Sequence, residues 1–174
     1  MKVLGYAMVL VLVAAEAWAG EPAKPVERAP SPAFDKLKSL AGEWTLAGGD
    51  GSVAAAWKVT ANGSAVVETL FPGSPHEMLT VYTLRGADLR LTHYCAAGNQ
   101  PEMQAEKNAD AHRIAFHFTG GAGIQPSKDM HMHSASFAFA ENGTLHEEWG
   151  TFTGGKPGDT KVFELKRVAP PTAK

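Results

Sequence analysis

Two histidines at positions 131 and 133 form the densest group of metal-ligand side chains in the sequence, within the segment 130–133, which reads MHMH. Residues two apart on a β-strand share one face, roughly 7 Å apart along it. Neutral imidazole suits zinc or copper. We therefore consider a divalent metal held by His131 and His133, with His76 or His93 as further ligands.

The same two histidines also have a purely structural interpretation. At the solvated edge of a sheet, His131 and His133 would hydrogen-bond to nearby polar groups such as Ser134, Ser136 and Glu147. A pattern of two histidines separated by one residue arises easily by chance. The spacing alone does not decide between a metal site and ordinary hydrogen bonding.

Nucleophilic catalysis has little support in the sequence. Cys95 is the single cysteine, so the chain forms no internal disulfide, and His93 lies two residues before it. A cysteine nucleophile needs a lowered thiol pKa and an oxyanion hole, and no motif marks either. We predict that Cys95 faces inward as a small apolar side chain, and we predict no catalytic residue.

The first nineteen residues have the pattern of a secretory signal peptide. Lys2 precedes an apolar run, and Ala17 and Ala19 provide the small residues of a cleavage site. Residues 20–32 are rich in proline and predict a linker. The folded domain is expected at 33–168, with a disordered tail at 169–174. A periplasmic or secreted protein, without a stable membrane anchor after cleavage, follows from this organisation.

The charge of the chain argues against a nucleic-acid partner. The formal net charge is −2, with 16 basic and 18 acidic side chains. Lysine and arginine are scattered singly, whereas nucleic-acid binding requires a basic patch. A small molecule is the partner that we expect instead.

Hydrophobic periodicity predicts an all-β domain that follows one short helix. Apolar residues at helical spacing predict the helix at 33–41, ended by Gly42. Alternating segments separated by turn signals then predict about ten strands, near 43–48, 53–60, 64–71, 76–84, 88–96, 101–108, 111–119, 130–140, 144–153 and 160–168. Closing an antiparallel up-and-down barrel removes the two edges of such a sheet. A two-sheet sandwich is the alternative.

Alternation along the strands predicts a barrel interior of aromatic rings interrupted by polar groups. Burying unpaired polar groups is costly, and barrels of this size commonly enclose a ligand. We therefore predict a cavity that binds a small, largely apolar molecule. Metal binding and a purely structural or protein-binding barrel are the alternatives. The predicted ligand-binding residues are Trp57, Phe116, Phe137 and Trp149, together with His93, Cys95, His133 and Glu147; Phe139 is also expected to line the cavity.

The segment Gly42-Glu43-Trp44 resembles the G-x-W signature of lipocalin-type (calycin-type) barrels. In that superfamily the tryptophan packs against an arginine of the last strand, so the resemblance implies a structural plug formed by Trp44 and Arg167. The stretches FDKLKSLAGEW, VVETLFPGSPHEMLTVY, LTHYCAAGNQPEM, KDMHMHS and VFELKR further resemble uncharacterised bacterial lipocalin-like proteins. This resemblance implies a fold and no activity.

The ten-stranded, haem-binding nitrobindin type is a more distant architectural relative. Its haem is held by one histidine near the C-terminal end of the barrel. The nearest candidate in this sequence is His146, which alternation places on the outside of the barrel. That departure argues against haem as a cofactor.

Overall fold

The computed structural model describes residues 30–107, 109 and 112–169. Alternating inward and outward side chains organise them into ten strands preceded by one helix. The bounds are α1 Pro32–Lys38, β1 Gly42–Leu46, β2 Val53–Thr60, β3 Ala65–Leu70, β4 Met78–Arg85, β5 Asp88–Tyr94, β6 Gln100–Ala105, β7 Arg113–Ala122, β8 His131–Phe139, β9 Leu145–Thr153 and β10 Lys156–Arg167.

Each strand pairs antiparallel with the next along the chain, and β1 pairs with β10 to close the barrel. This confirms the predicted up-and-down barrel with one short N-terminal helix and excludes the sandwich. The predicted signal peptide at 1–19, residues 20–29 of the predicted linker and residues 170–174 of the predicted tail lie outside the described residues.

Helix α1 begins at Pro32, the last residue of the predicted linker, and the Ser31 hydroxyl accepts a hydrogen bond from Phe34 N at 3.2 Å. Serine at this position satisfies a free amide of the first turn, and proline fits there because its missing donor is not needed. Phe34 and Leu37 are buried against one end of the barrel. Within the described part of the chain, no helix is long and apolar enough to cross a membrane.

Two hairpin turns show how local sequence sets the strand ends. Ala61, Asn62 and Gly63 all have positive φ, which the predicted Asn-Gly turn favours. Gly154 and Gly155, with φ of 60° and 75°, join β9 directly to β10. The last strand therefore begins at Lys156 and not near 160 as predicted, because two glycines are enough to reverse the direction of the chain.

The barrel has two unlike ends. Helix α1 covers the end that we call the capped end, where the Lys36 ammonium lies 4.7 Å from the centre of the Phe139 ring. The opposite end, which we call the distal end, carries the loops 47–52, 71–77, 95–99, 123–130 and 154–155.

The capped end is closed by the pair that the sequence predicted as a plug. The Arg167 guanidinium lies 4.5 Å over the Trp44 ring and donates hydrogen bonds to the carbonyls of Ser39 and Ala41. The Trp44 indole donates to the Leu40 carbonyl at 2.9 Å. Trp44 of the first strand and Arg167 of the last strand thus connect the end of the helix to the barrel through hydrogen bonds.

Gly42 makes this close approach possible. Its φ is +128°, and a Cβ at this position would lie 3.0 Å from Arg167 Nη1. A side chain here would be strained and would press on the guanidinium. The glycine two residues before Trp44 therefore has a direct packing role.

Candidate functional site

Four neighbouring strands place buried polar side chains side by side on one wall of the barrel. In the strand register Trp57 of β2 is opposite Glu68 of β3, Glu68 is opposite Thr80 of β4, and Thr80 is opposite His93 of β5. Each of the four is at most 3 % exposed. We call this set, Trp57, Glu68, Thr80 and His93, the polar row; it lies in the distal half of the barrel.

Strand β9 approaches the polar row from the opposite wall. Glu147 and Trp149 are both buried, and the Trp149 indole donates to Glu147 Oε1 at 2.5 Å. The Trp149 ring packs against the His93 ring, with centroids 4.5 Å apart. The interior is therefore bridged from wall to wall at this level.

The second bridge is a contact between two buried carboxyl groups. Burial and the neighbouring Glu147 raise the pKa of Glu68 well above its usual range. Burial also raises the pKa of Glu147, to about 7, although hydrogen bonds from Trp149 and Glu68 oppose that rise. Two carboxylates both accept, so a hydrogen bond between them requires one shared proton. Glu68 also accepts a hydrogen bond from the Tyr82 hydroxyl at 2.7 Å.

His93 has one partnered and one unpartnered ring nitrogen. Its Nδ1 lies 2.9 Å from the Thr80 hydroxyl oxygen. Its Nε2 is buried without a hydrogen-bond partner in the part of the chain that is described. Burial lowers the pKa of His93 to about 4, so the imidazole is neutral near pH 7.

The aromatic residues predicted to line a cavity pack on one another. Trp57 contacts Tyr82 and Phe137, and Phe137 contacts Phe116 and Trp149, with ring centroids 5.3 to 6.2 Å apart. These distances are typical of direct aromatic contact. The rings thus form a packed layer. Phe139, which we also expected in the lining, lies instead at the capped end, because β8 runs on beyond this layer towards the helix.

His131 and His133 come together at the start of β8. The register of β8 against β9 shifts between Met132 and Ser134, which makes His133 the extra residue of a bulge. His131 Nε2 lies 3.0 Å from His133 Nδ1, and His131 Nδ1 lies 2.9 Å from the Asp129 carbonyl oxygen. A carbonyl only accepts, so His131 donates from Nδ1 and accepts from His133 when both rings are neutral.

Two phenylalanines hold the second imidazole of this pair. The His133 ring stacks on Phe152 and Phe118, with centroids 4.1 and 5.0 Å away. Burial and the neighbouring His131 lower the pKa of His133. Its Nε2 is the nitrogen that this hydrogen-bond chain leaves available to a ligand.

The other two predicted metal ligands are elsewhere. His76 is exposed in the loop 71–77, and His93 belongs to the polar row. Among the described residues, no three His, Cys, Asp or Glu side chains are grouped so that they could hold a metal ion. The structure therefore brings together two of the four predicted histidines. Cys95, predicted to face inward, is half-buried in the turn that follows β5.

Sequence reasoning missed Glu68, Thr80 and Tyr82. Glu68 shares the inward face of β3 with Val66 and Leu70, which are both buried. The period-two alternation of the segment VVETL carries that signal. Assigning faces to this strand and to β4 would therefore have placed Glu68 and Thr80 in the interior.

Fold and site together define a closed antiparallel barrel with a proton-sharing carboxyl pair and an unpaired imidazole nitrogen in its interior. No protein-family model matches the chain, and no curated protein is significantly similar to it.

Proposed function

We propose that the chain is an exported, lipocalin-like barrel that binds a small, largely apolar molecule in its distal half, with His93 and Glu147 as polar anchors. The observation that carries this proposal is the buried and unpartnered Nε2 of His93. Trp149 and the packed aromatic layer would contact the apolar part of the molecule.

The energetic cost of these polar groups supports a binding role. A buried donor or acceptor without a partner costs about 1–3 kcal/mol. An apolar side chain at position 93 would avoid that cost and still pack on Trp149. A barrel that only had to fold would gain from such a replacement, so the imidazole is best explained by a hydrogen bond to a bound molecule.

Export is the part of the proposal that rests on sequence alone. Residues 1–19 have the charge, apolar run and small residues of a cleaved signal peptide. Expression of the full chain in a Gram-negative host, followed by fractionation and mass determination, should give a mature protein in the periplasm that starts at Gly20. An uncleaved protein in the cytoplasm would contradict export.

Native mass spectrometry of the exported protein tests the binding role. We expect a retained small molecule in the parent, and its loss in His93→Phe, which keeps a ring against Trp149 but removes Nε2. His117→Phe is the matched control, because His117 is exposed on the outside of β7. A parent that carries no molecule after gentle purification and after incubation with a lipid extract would contradict ligand binding.

A further inference from the structure

The histidine pair at the start of β8 has two ring nitrogens that face each other across a single hydrogen bond. We propose that His131 Nε2 and His133 Nδ1 bind one copper(I) ion in place of the proton of that bond, with the two nitrogens on opposite sides of the metal. The site uses no residue of the polar row, and it does not depend on the proposed function.

The orientation of the first ligand is fixed by the backbone. His131 is 0 % exposed, and its Nδ1 lies 2.9 Å from the Asp129 carbonyl oxygen. Because a carbonyl only accepts, Nδ1 carries the proton and Nε2 of the neutral ring is a lone pair. Metal-binding histidines commonly donate their other ring N–H to a backbone carbonyl in the same way. The fold therefore already orients His131 as a metal ligand.

The second ligand needs only a change of tautomer. His133 Nδ1 lies 3.0 Å from His131 Nε2 and donates the proton of the hydrogen bond. A neutral imidazole carries its proton on either nitrogen, so the proton can move to Nε2 of this half-buried ring. Nδ1 then becomes a second lone pair directed at the first. A cation that takes the place of the proton lies between the two nitrogens, which is the arrangement of linear, two-coordinate copper(I).

The separation of the two nitrogens is close to what a metal requires. Metal–nitrogen bonds of about 2 Å on opposite sides of one ion require roughly 4 Å between the nitrogens, which is about 1 Å more than the present 3.0 Å. His133 is the extra residue of the bulge and is opposite no residue of β9. A small movement of His133 therefore opens the pair without breaking a regular strand pairing.

The surroundings of the pair favour copper(I) over zinc. The His133 ring is stacked between Phe152 and Phe118, with centroids 4.1 and 5.0 Å away, and the Phe118 ring also lies 4.5 Å from His131. Aromatic faces stabilise a nearby positive charge. Among the described residues, no third His, Cys, Asp or Glu joins these histidines in a group that could hold a metal ion. Zinc takes four ligands and loses more hydration energy on burial, whereas a singly charged copper ion is stable with two nitrogens.

Copper(I) binding to the mature protein, purified without a histidine tag, tests the site. Anaerobic titration against a chromogenic copper(I) chelator should give one tightly bound ion per chain, and X-ray absorption should show the two nitrogen neighbours of a linear site. Nitrogen NMR with silver(I), a redox-inert ion of the same charge and geometry, should shift His131 Nε2 and His133 Nδ1. No copper(I) binding, three or more ligands at the metal, or tighter binding of zinc than of copper(I) would overturn the proposal.

Variants assign the ion to this pair. His133→Phe keeps a ring between Phe118 and Phe152 and should weaken copper(I) binding at least ~100-fold, because losing a ligand costs more than losing an outer partner, at about 10–100-fold. His117→Phe, on the outside of β7, should bind copper(I) as the parent does. Unchanged binding in His133→Phe would contradict the assignment. If that variant does not fold in urea unfolding experiments, the absorption and NMR spectra of the parent decide the question.

Discussion

The capped end and the distal half of the barrel treat buried polar groups in opposite ways. At the capped end the Trp44 indole and the Arg167 guanidinium donate to backbone carbonyls at the end of α1. In the distal half, polar atoms of Trp57, His93 and Asn99 are buried without partners in the described part of the chain. The Trp44 and Arg167 donors at the capped end are thus satisfied within the fold, whereas these polar atoms of the distal half are not.

This difference predicts separate effects on stability and on the proposed binding within one small barrel. Consistent packing and paired polar groups are what a stable end requires, and local departures from that pattern concentrate at functional sites. The interior also contains the carboxyl pair Glu68–Glu147, and the distal half contains the imidazole pair His131–His133. We therefore expect substitutions at the capped end to change stability strongly, and substitutions in the distal half to change binding and pH dependence.

The largest effect is expected for Trp44→Ala. Trp44 is 3 % exposed and holds the Arg167 guanidinium over its ring, so truncation removes a large buried side chain and opens the plug. Such substitutions cost about 3–5 kcal/mol of unfolding free energy. Urea unfolding of the mature protein measures the loss.

Leu46→Ala is the matched control on the same strand. Leu46 is 39 % exposed, and its truncation should change the unfolding free energy by less than about 1 kcal/mol. Equal losses in the two variants would show that the capped end has no special role in stability. The contrast between the two ends would then fail.

The strand pattern and the plug could be predicted from the sequence because both are local or terminal features. Alternation predicts the inward face of β9, and the chain order of antiparallel strands predicts which neighbours pair. Glu147 and Trp149 are buried as that alternation predicts. The G-x-W segment led to the predicted pairing of Trp44 with Arg167, and these residues are opposite each other where β1 pairs with β10.

Contacts across the barrel could not be predicted in the same way. Glu68 and Glu147 are 79 positions apart in the sequence, and their contact depends on how many strands close the barrel and with what stagger. The contact between His131 and His133 depends on the bulge at Met132 and Ser134, which shifts a regular alternation. Neither feature has a signal in the spacing of the residues alone.

The second largest effect is expected in the pH dependence of His93→Leu. The pKa of His93 is about 4 in the folded chain against 6.5 when unfolded, so the unfolded state binds more protons between these values. The His93 contribution is fully present above pH 6.5 and is lost as the pH falls to about 4, a change of about 3 kcal/mol. Urea unfolding at pH 4.5 and pH 7 should show that the leucine variant lacks this loss.

The difference between the parent and the variant in the pH dependence of the unfolding free energy isolates the contribution of His93. The raised pKa values of Glu68 and Glu147 change that free energy in the opposite direction, but they do so in both proteins. His117→Leu provides the control, since His117 is exposed on β7 and the distal half is untouched. An identical pH dependence for His93→Leu and the parent would contradict the burial of a neutral imidazole at this position.

The smallest effect is expected outside the barrel wall, where polar groups are paired and solvated. His146 lies between the carboxylates of Glu148 and Glu164, and both hydrogen bonds raise its pKa. The stabilisation that the charged His146 gains from these two carboxylates is therefore present below pH 6.5, and it is lost as the pH rises through the raised pKa of His146. Because these side chains are substantially exposed, Glu164→Gln should cost well under ~1 kcal/mol at pH 6 and less at pH 9.

Proton NMR titration of the His146 ring measures the same contact directly. Glu164→Gln should lower the pKa of His146, while Glu141→Gln, in the exposed turn before β9, should leave it unchanged. A cost in Glu164→Gln as large as that of Trp44→Ala would show that the outer face of β9 and β10 contributes as much to stability as the capped end. A small cost in unfolding free energy with a clear pKa change would show that this exposed contact contributes little to stability, because solvent compensates for a missing partner on the outer face.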